Sequence, residues 1–238
     1  MNAQSCQVRR FLFATILVLV FLTVPASCAG PARQMTASPG DLKLIQLPPP
    51  RTEGGKPLMQ ALKDRHSSRS FREEVLTHEV LSNLLWAAYG INRPESGKRT
   101  APSALNWQEI DIYVTLKEGL YLYEAKGHAL VPILNRDIRA ETGSFIQPFV
   151  KKAPLNLVYV ADLARTGGLK GTVVSAEEKM LYAAVSTGAI VQNVYLYCAS
   201  EGLSTVVRGY VDKTDLARAM GLREDQKIIL AQTVGYPE

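Results

Sequence analysis

The stretch SAEEKMLYAAVSTGAIVQNVYLYCASEGL, residues 175–203, is the longest helical pattern in the chain, and its reading decides the fold. Ser175-Ala176-Glu177-Glu178 is a capping box: the serine side chain takes the amide hydrogen of Glu178, and the Glu178 carboxylate reaches back. The helix it opens runs to about Ser200 and closes at Gly202. Met180, Ala183, Ala184, Val185, Ile190, Val191, Val194 and Leu196 wrap nearly all round it. A helix apolar on every side is expected in a core or between subunits. Gly188 sits inside it at a cost of about 1 kcal/mol relative to alanine. That cost predicts a neighbour too close for a methyl group, either a second helix backbone or a cofactor ring.

Outside this helix the period changes. Ile110, Ile112, Val114 and Leu116 alternate with other residues, the pattern of a strand with one face in a core. Glu118-Gly119 and Lys126-Gly127 are turn pairs, so 109–117, 120–125 and 128–133 read as a meander. Residues 136–151 read as one or two short helices, and Leu155 to Val160 as a buried central strand. The segment 163–174 carries Gly167, Gly168 and Gly171 and reads as a mobile loop, either a lid or an ordinary connection. Ser204 to Tyr210 is a short strand entering a loop. Asp212, with Asp215 three later, caps a helix that ends at Gly221, and Lys227 to Val234 is a final strand. Before the meander, Pro57 opens a short helix, Thr77 caps a second that stops at Gly90, and 92–105 reads as a polar loop. Strands and helices mixed in this way, with a meander, predict an α+β domain.

The composition is globular, 47% hydrophobic and 21% charged, with a formal charge of +5. Arg9 and Arg10 lie in a segment that reads as an export signal, Phe11 to Val24 being free of charge. Without them the balance is 25 basic against 22 acidic residues, too mild to argue for nucleic acid. Cleavage after Ala29 gives a signal peptide over 1–29. Acylation of Cys28 gives a lipoprotein tethered to the membrane instead, and the arginine pair also allows a twin-arginine route. Either way the chain is expected to be exported, periplasmic or membrane-anchored. Residues 30–56, with Pro48-Pro49-Pro50 and Gly54-Gly55, read as a flexible tether, leaving 57–238 as one domain. Cys198 is the only cysteine of that domain and reads as core. His66, His78 and His128 lack metal-ligand spacing, so no metal site is expected.

The candidate site is Arg65-His66-Ser67-Ser68-Arg69-Ser70-Phe71. Guanidinium is planar, always charged and matched to phosphate, and a hydroxyl between two arginines adds a short donor. A solvated basic turn is the alternative reading of these residues alone.

The order of motifs resembles the FMN-dependent nitroreductase superfamily. Its Arg-x-Ser-x-(Arg/Lys)-x-Phe element is matched by Arg65, Ser67, Arg69 and Phe71. Its Pro-Ser-x-x-Asn element is matched by Pro102, Ser103 and Asn106 before the Ile112-Tyr113-Val114 strand. Its Gly-x-x-x-Gln-Asn helix is matched by Gly188, Gln192 and Asn193, then Gly202-Leu203, and its Val-Gly-Tyr-Pro ending by Val234 to Pro237. The resemblance covers nearly all of 57–238 and is nearest to the branch that includes azoline dehydrogenases. It implies a central, mainly antiparallel sheet flanked by helices, with the long buried helix at a homodimer interface and FMN bound there. Arg65 and Ser67 would hold the phosphate and ribityl chain, His66 would belong to the same cofactor site, and Arg69 would lie near the pyrimidine ring. Asn106 would meet the pyrimidine edge, although it also reads as a turn residue, and Ser103 would belong to the same cofactor site. Val207, Arg208 and Gly209 would turn a backbone amide to the ring, with glycine where no side chain fits. No catalytic side chain is implied, because the flavin carries the chemistry. The expected activity is electron transfer from a donor such as NAD(P)H to a small organic acceptor. A ligand-binding protein without turnover on the same fold is the rival, and azoline oxidation in peptide maturation is another. The Lys-Tyr pair of azoline dehydrogenases is absent from the sequence. Many members carry a basic tail beyond Tyr-Pro that clamps the phosphate; here the sequence ends at Glu238, an expectation of weaker FMN binding.

Overall fold

The computed structural model describes residues 42–168 and 173–238. The export signal, Cys28, residues 30–41 of the expected tether and 169–172 of the glycine loop lie outside the described residues. The strands are β1 (Ile45–Gln46), β2 (Ile91–Arg93), β3 (Lys98–Arg99), β4 (Ile110–Thr115), β5 (Leu120–Glu124), β6 (Ala129–Leu134), β7 (Leu155–Asp162), β8 (Ser204–Arg208) and β9 (Gln226–Gly235). The helices are α1 (Leu58–Asp64), α2 (His78–Tyr89), α3 (Phe149–Lys152), α4 (Ala176–Glu201) and α5 (Lys213–Met220). Short 3-10 turns stand at Ala104–Asn106, Arg139–Thr142 and Leu163–Arg165. Seven strands form one sheet in the order β1-β6-β5-β4-β7-β9-β8, and every neighbouring pair is antiparallel. The class is α+β, as expected.

Every residue of β7 is buried, as its unbroken apolar run predicts. One face of the sheet carries Val114, Leu157 and Tyr159 under Leu84, Leu85 and Ala88 of α2 and Ile190, Val194 and Cys198 of α4. The other face packs Tyr113, Val158 and Val160 against Leu216 and Met220 of α5. Each such side chain contributes about 1.5–3 kcal/mol by leaving water. The Cys198 thiol is a core group whose pKa is pushed well up by burial. The capping box of α4 forms as read, with Glu178 N–H 3.1 Å from Ser175 Oγ and Ser175 N–H 2.8 Å from Glu178 Oε2.

Two expectations need correction, and the long helix is only partly covered by the described residues. Residues 42–56 do not belong to a free tether: β1 pairs with β6, Leu47 is only 3% exposed, and Lys56 N–H donates to Ser200 Oγ at 2.8 Å. The polar 92–105 stretch holds the β2–β3 hairpin and a 3-10 turn rather than an irregular loop. The long helix is not buried all round within the chain. Its core-facing side holds Ala183, Ile190, Val194 and Cys198, while Leu181 and Val185 are 60% and 61% exposed. A Cβ built at Gly188 meets nothing within 4 Å, so no neighbour among the described residues requires glycine there.

A polar thread fixes β1 to the domain. The Ser82 hydroxyl donates to the Pro48 carbonyl at 2.6 Å and lies 2.7 Å from His128 Nε2, while the Tyr123 hydroxyl lies 2.9 Å from His128 Nδ1. Ser82 has one proton and gives it to Pro48. Nε2 therefore carries the ring proton, and Nδ1 accepts from Tyr123. The arrangement needs a neutral imidazole, and burial holds the His128 pKa below its ordinary value. A histidine with a depressed folded pKa contributes stability that is complete above its unfolded pKa of about 6.5 and is lost as pH falls below it. Denaturant titrations from about pH 7 to about pH 5 should show wild-type stability falling, and His128→Gln should show a lower but flatter profile.

Candidate functional site

The Arg65–Phe71 stretch leaves α1 and runs beside β8, an edge strand of the sheet. Phe71 is its anchor. It is 3% exposed, packs with Ala153 and Val206, and lies 5.8 Å from Phe149 between ring centroids. Ser68 N–H donates to the Thr205 carbonyl and Arg72 N–H to the Tyr236 carbonyl, each at 3.0 Å. These contacts turn the intervening polar side chains outward. Arg65 and Arg69 form no ion pair among the described residues, so two guanidiniums stand without a carboxylate. Ser70 donates to the Glu238 carboxylate at 2.6 Å. His66 turns away, with Nδ1 2.8 Å from the Asp64 carbonyl.

Tyr195 of α4 organises this edge, and the sequence reading did not single it out. The Arg65 guanidinium lies over its ring, 5.3 Å from the centroid. Its hydroxyl is 2.8 Å from Ser67 Oγ and accepts the Val207 N–H at 2.9 Å. The signal was present: a tyrosine on the buried side of a helix needs a partner for its hydroxyl.

In β8, Thr205 and Val207 direct their free backbone groups outward, to Ser68 and Tyr195. Just past the last ladder pair, Arg208 with Ala231, the Gly209 N–H has no backbone partner among the described residues. Gly209, not Val207, is therefore the free amide of the predicted segment. A Cβ at Gly209 would meet only Leu230 Cδ2 at 3.7 Å, ordinary contact, so the protein's own packing does not require glycine there. The Arg208 side chain turns to the opposite face and is 3% exposed. Its guanidinium donates to Thr233 Oγ1 at 2.9 Å, to Asn156 Oδ1 at 3.1 Å and to the carbonyl and hydroxyl of Thr142. All four acceptors are neutral. Burial alone pulls its pKa down to about 10, so it remains charged near neutral pH.

Asn106 sits in a strained turn. Leu105, Asn106 and Gln108 have φ of 50°, 56° and 50°, left-handed values that cost non-glycine residues about 1–3 kcal/mol each. Ser103 holds this turn: its hydroxyl donates to Glu109 Oε2 at 2.6 Å and accepts the Gln108 N–H at 2.8 Å. Both bonds lie within the protein, so the Ser103 hydroxyl braces the turn that carries Asn106. Asn106 Oδ1 accepts from Gln108 Nε2 at 3.2 Å, and its amide N–H groups are unengaged among the described residues. Trp107 packs edge-on to Tyr182 of α4 at 5.9 Å. Tyr182 and Tyr195 are thirteen positions apart, about 20 Å along the helix. One small anion cannot bridge two contacts so spaced; an elongated ligand is needed to use both segments.

Residues 62–236 match the Nitroreductase family, and the chain belongs to it. A Methanocaldococcus jannaschii protein with a provisional nitroreductase name, MJ1384, is 33% identical over 193 residues, 78% of this chain and 93% of that protein. A crystal structure from Ralstonia eutropha JMP134, also provisionally named a nitroreductase, is 42% identical with a TM-score of 0.76, covering 82% of this chain and 90% of that one. A Desulfovibrio desulfuricans chain determined in complex with FMN shares the fold, at 20% identity and a TM-score of 0.55 over 77% of this chain and 88% of its own. Membership places the chain among flavin oxidoreductases in general.

Arg208→Met would remove the buried charge and leave the Thr142 carbonyl without its donor, while Asn156 and the two threonine hydroxyls each keep one other bond. Urea unfolding should show a loss of about 1–3 kcal/mol, the cost of an unsatisfied buried acceptor.

Proposed function

We propose that the protein is an FMN-dependent oxidoreductase that takes electrons from a reduced donor and passes them, in a second half-reaction, to a small organic acceptor. One observation carries the reading. Along the edge of β8 the polar groups turned outward without a carboxylate partner are donors: the guanidiniums of Arg65 and Arg69, the Ser67 hydroxyl and the Gly209 amide. Such a set fits a phosphate-bearing ligand with acceptor atoms on its ring. The FMN-bound relative with the same fold supports that identity. When bound, FMN would supply hydride acceptance and electron donation.

The chain's own residues would bind and orient. Arg65 and Ser67 would hold the phosphate. Arg69 would place a positive charge where negative charge develops on reduction. Asn106 would offer amide hydrogens to the pyrimidine edge, and Gly209 its N–H to the ring. NADH or NADPH is the proposed donor. A second copy of the chain is the proposed cover for Met180, Leu181 and Val185, which form an exposed apolar side of α4. The signal-like N-terminus supports a periplasmic location, with or without a lipid on Cys28.

The purified protein should carry a flavin spectrum or gain one on adding FMN, and NADH or NADPH should bleach it without air. A protein that takes up no FMN would refute the reading, and one that binds but is never reduced would favour the ligand-binding rival. Arg65→Ala should weaken FMN binding about ten-fold or more, the loss of one charge-assisted hydrogen bond. Arg69→Ala should keep most of the flavin at a lower midpoint potential. Val185→Glu should shift the sedimenting species from dimer to monomer.

A further inference from the structure

We infer that Tyr195 is a positioning residue: it turns Ser67 into a hydrogen-bond donor aimed at the phosphate of the bound flavin. The inference rests on the proposed flavin reading and goes beyond it, to a residue outside the phosphate-binding motif.

Each proton at this hub can be assigned in turn. A tyrosine hydroxyl has one proton and accepts with its lone pairs; a serine hydroxyl likewise. The Val207 N–H can only donate, and it donates to Tyr195 at 2.9 Å. Between Tyr195 and Ser67, 2.8 Å apart, either hydroxyl has the geometry to give its proton. If Ser67 gave it, the Tyr195 proton would have no acceptor among the described residues, because Ser67 and Val207 are the only partners of that hydroxyl. Tyr195 is 5% exposed, and buried donors in folded proteins are paired. If Tyr195 gives it, every donor at the hub is used. The proton order is then Val207 N–H to Tyr195, Tyr195 O–H to Ser67, and Ser67 O–H outward.

Ser67 is exposed and has no other protein partner among the described residues. Its proton points to whatever lies beside Arg65. A phosphate presents only acceptors, so a hydroxyl already committed as a donor meets it without reorganising. The same tyrosine supports the guanidinium through its ring face. Accepting from Val207 also polarises the phenol and strengthens its own donation. One side chain thus sets the proton direction of the serine, steadies the arginine and ties both to the backbone of β8.

The test compares FMN with riboflavin, which lacks the phosphate. Tyr195→Phe keeps the ring under Arg65 and removes the relay. Its FMN affinity should fall about five- to ten-fold while riboflavin affinity stays within about two-fold. Ser67→Ala should show the same selective loss, and the double variant should lose no more than Ser67→Ala, because the two act through one chain. Parallel loss of FMN and riboflavin in Tyr195→Phe would mean a merely structural role and would overturn the inference. So would unchanged FMN affinity. Should Tyr195→Phe not fold, the wild-type protein gives a second reading. FMN should shift the Val207 amide proton resonance more than riboflavin does, and equal shifts would overturn the relay. A wild type that binds neither flavin removes the flavin reading itself, and the relay with it.

Discussion

Burial of both faces of β7 is the constraint on which the structure depends. All eight residues of the strand are buried, including Asn156 and Asp162, so both faces need an apolar layer and every polar atom needs a partner. The apolar layers are α2 with α4 on one side and α5 on the other. The polar requirement reaches further. Tyr159 donates to Gln232 of β9 at 2.6 Å, and Gln232 donates to Thr205 of β8 at 3.1 Å. On the opposite face Asn156 accepts from Thr233 at 2.7 Å and from Arg208 at 3.1 Å. Two side-chain threads therefore run from the central strand to the edge. They hold β8 laterally by more than its ladder bonds.

An edge strand ordinarily exposes unpaired backbone groups, which proteins cover or blunt. Here the cover is graded. Ser68 takes the carbonyl of Thr205, Tyr195 takes the amide of Val207, and at Gly209 the cover ends. Among the described residues, the β8-side amide left without a backbone partner thus falls at a glycine whose side-chain space is free. Each element has a structural cause: Phe71 docks the arginine segment, the core-facing side of α4 brings in Tyr195, and the β8–β9 ladder ends one residue before Gly209.

The parts of the fold legible in the sequence were those with an unambiguous period. The meander, the apolar run of β7 and the capped α4 stand where the pattern puts them, because burial enforces the period. β1 was hidden by its prolines, since composition reports a stiff segment but not that Leu47 reaches the core. The β2–β3 hairpin was hidden because neither of its faces is apolar. At the site, residue type was legible and hydrogen-bond commitment was not. Ser103 and Val207 carry suitable groups, but Glu109, Gln108 and Tyr195 already use them. Tyr195 was lost among the apolar residues of its helix. The cost of glycine in a helix points to close approach at Gly188, yet among the described residues the space beside it is open.

Arg208 links these points. A guanidinium brought out of water costs several kcal/mol, and no carboxylate offsets it here. What favours arginine is geometry: its planar fork of donors reaches Thr142, Asn156 and Thr233 together, which a lysine ammonium on a single stem could not match. The price is a positive charge sealed beneath the strand that presents the Gly209 amide. Arg65 and Arg69 face solvent, where salt screens their field within about 10 Å. Arg208 is shielded from salt by the protein, so its field at the edge persists where theirs fades. The potential at this edge therefore comes from two kinds of cation, one pair free to contact an anion and one buried charge that favours it at a distance while keeping the strand in place.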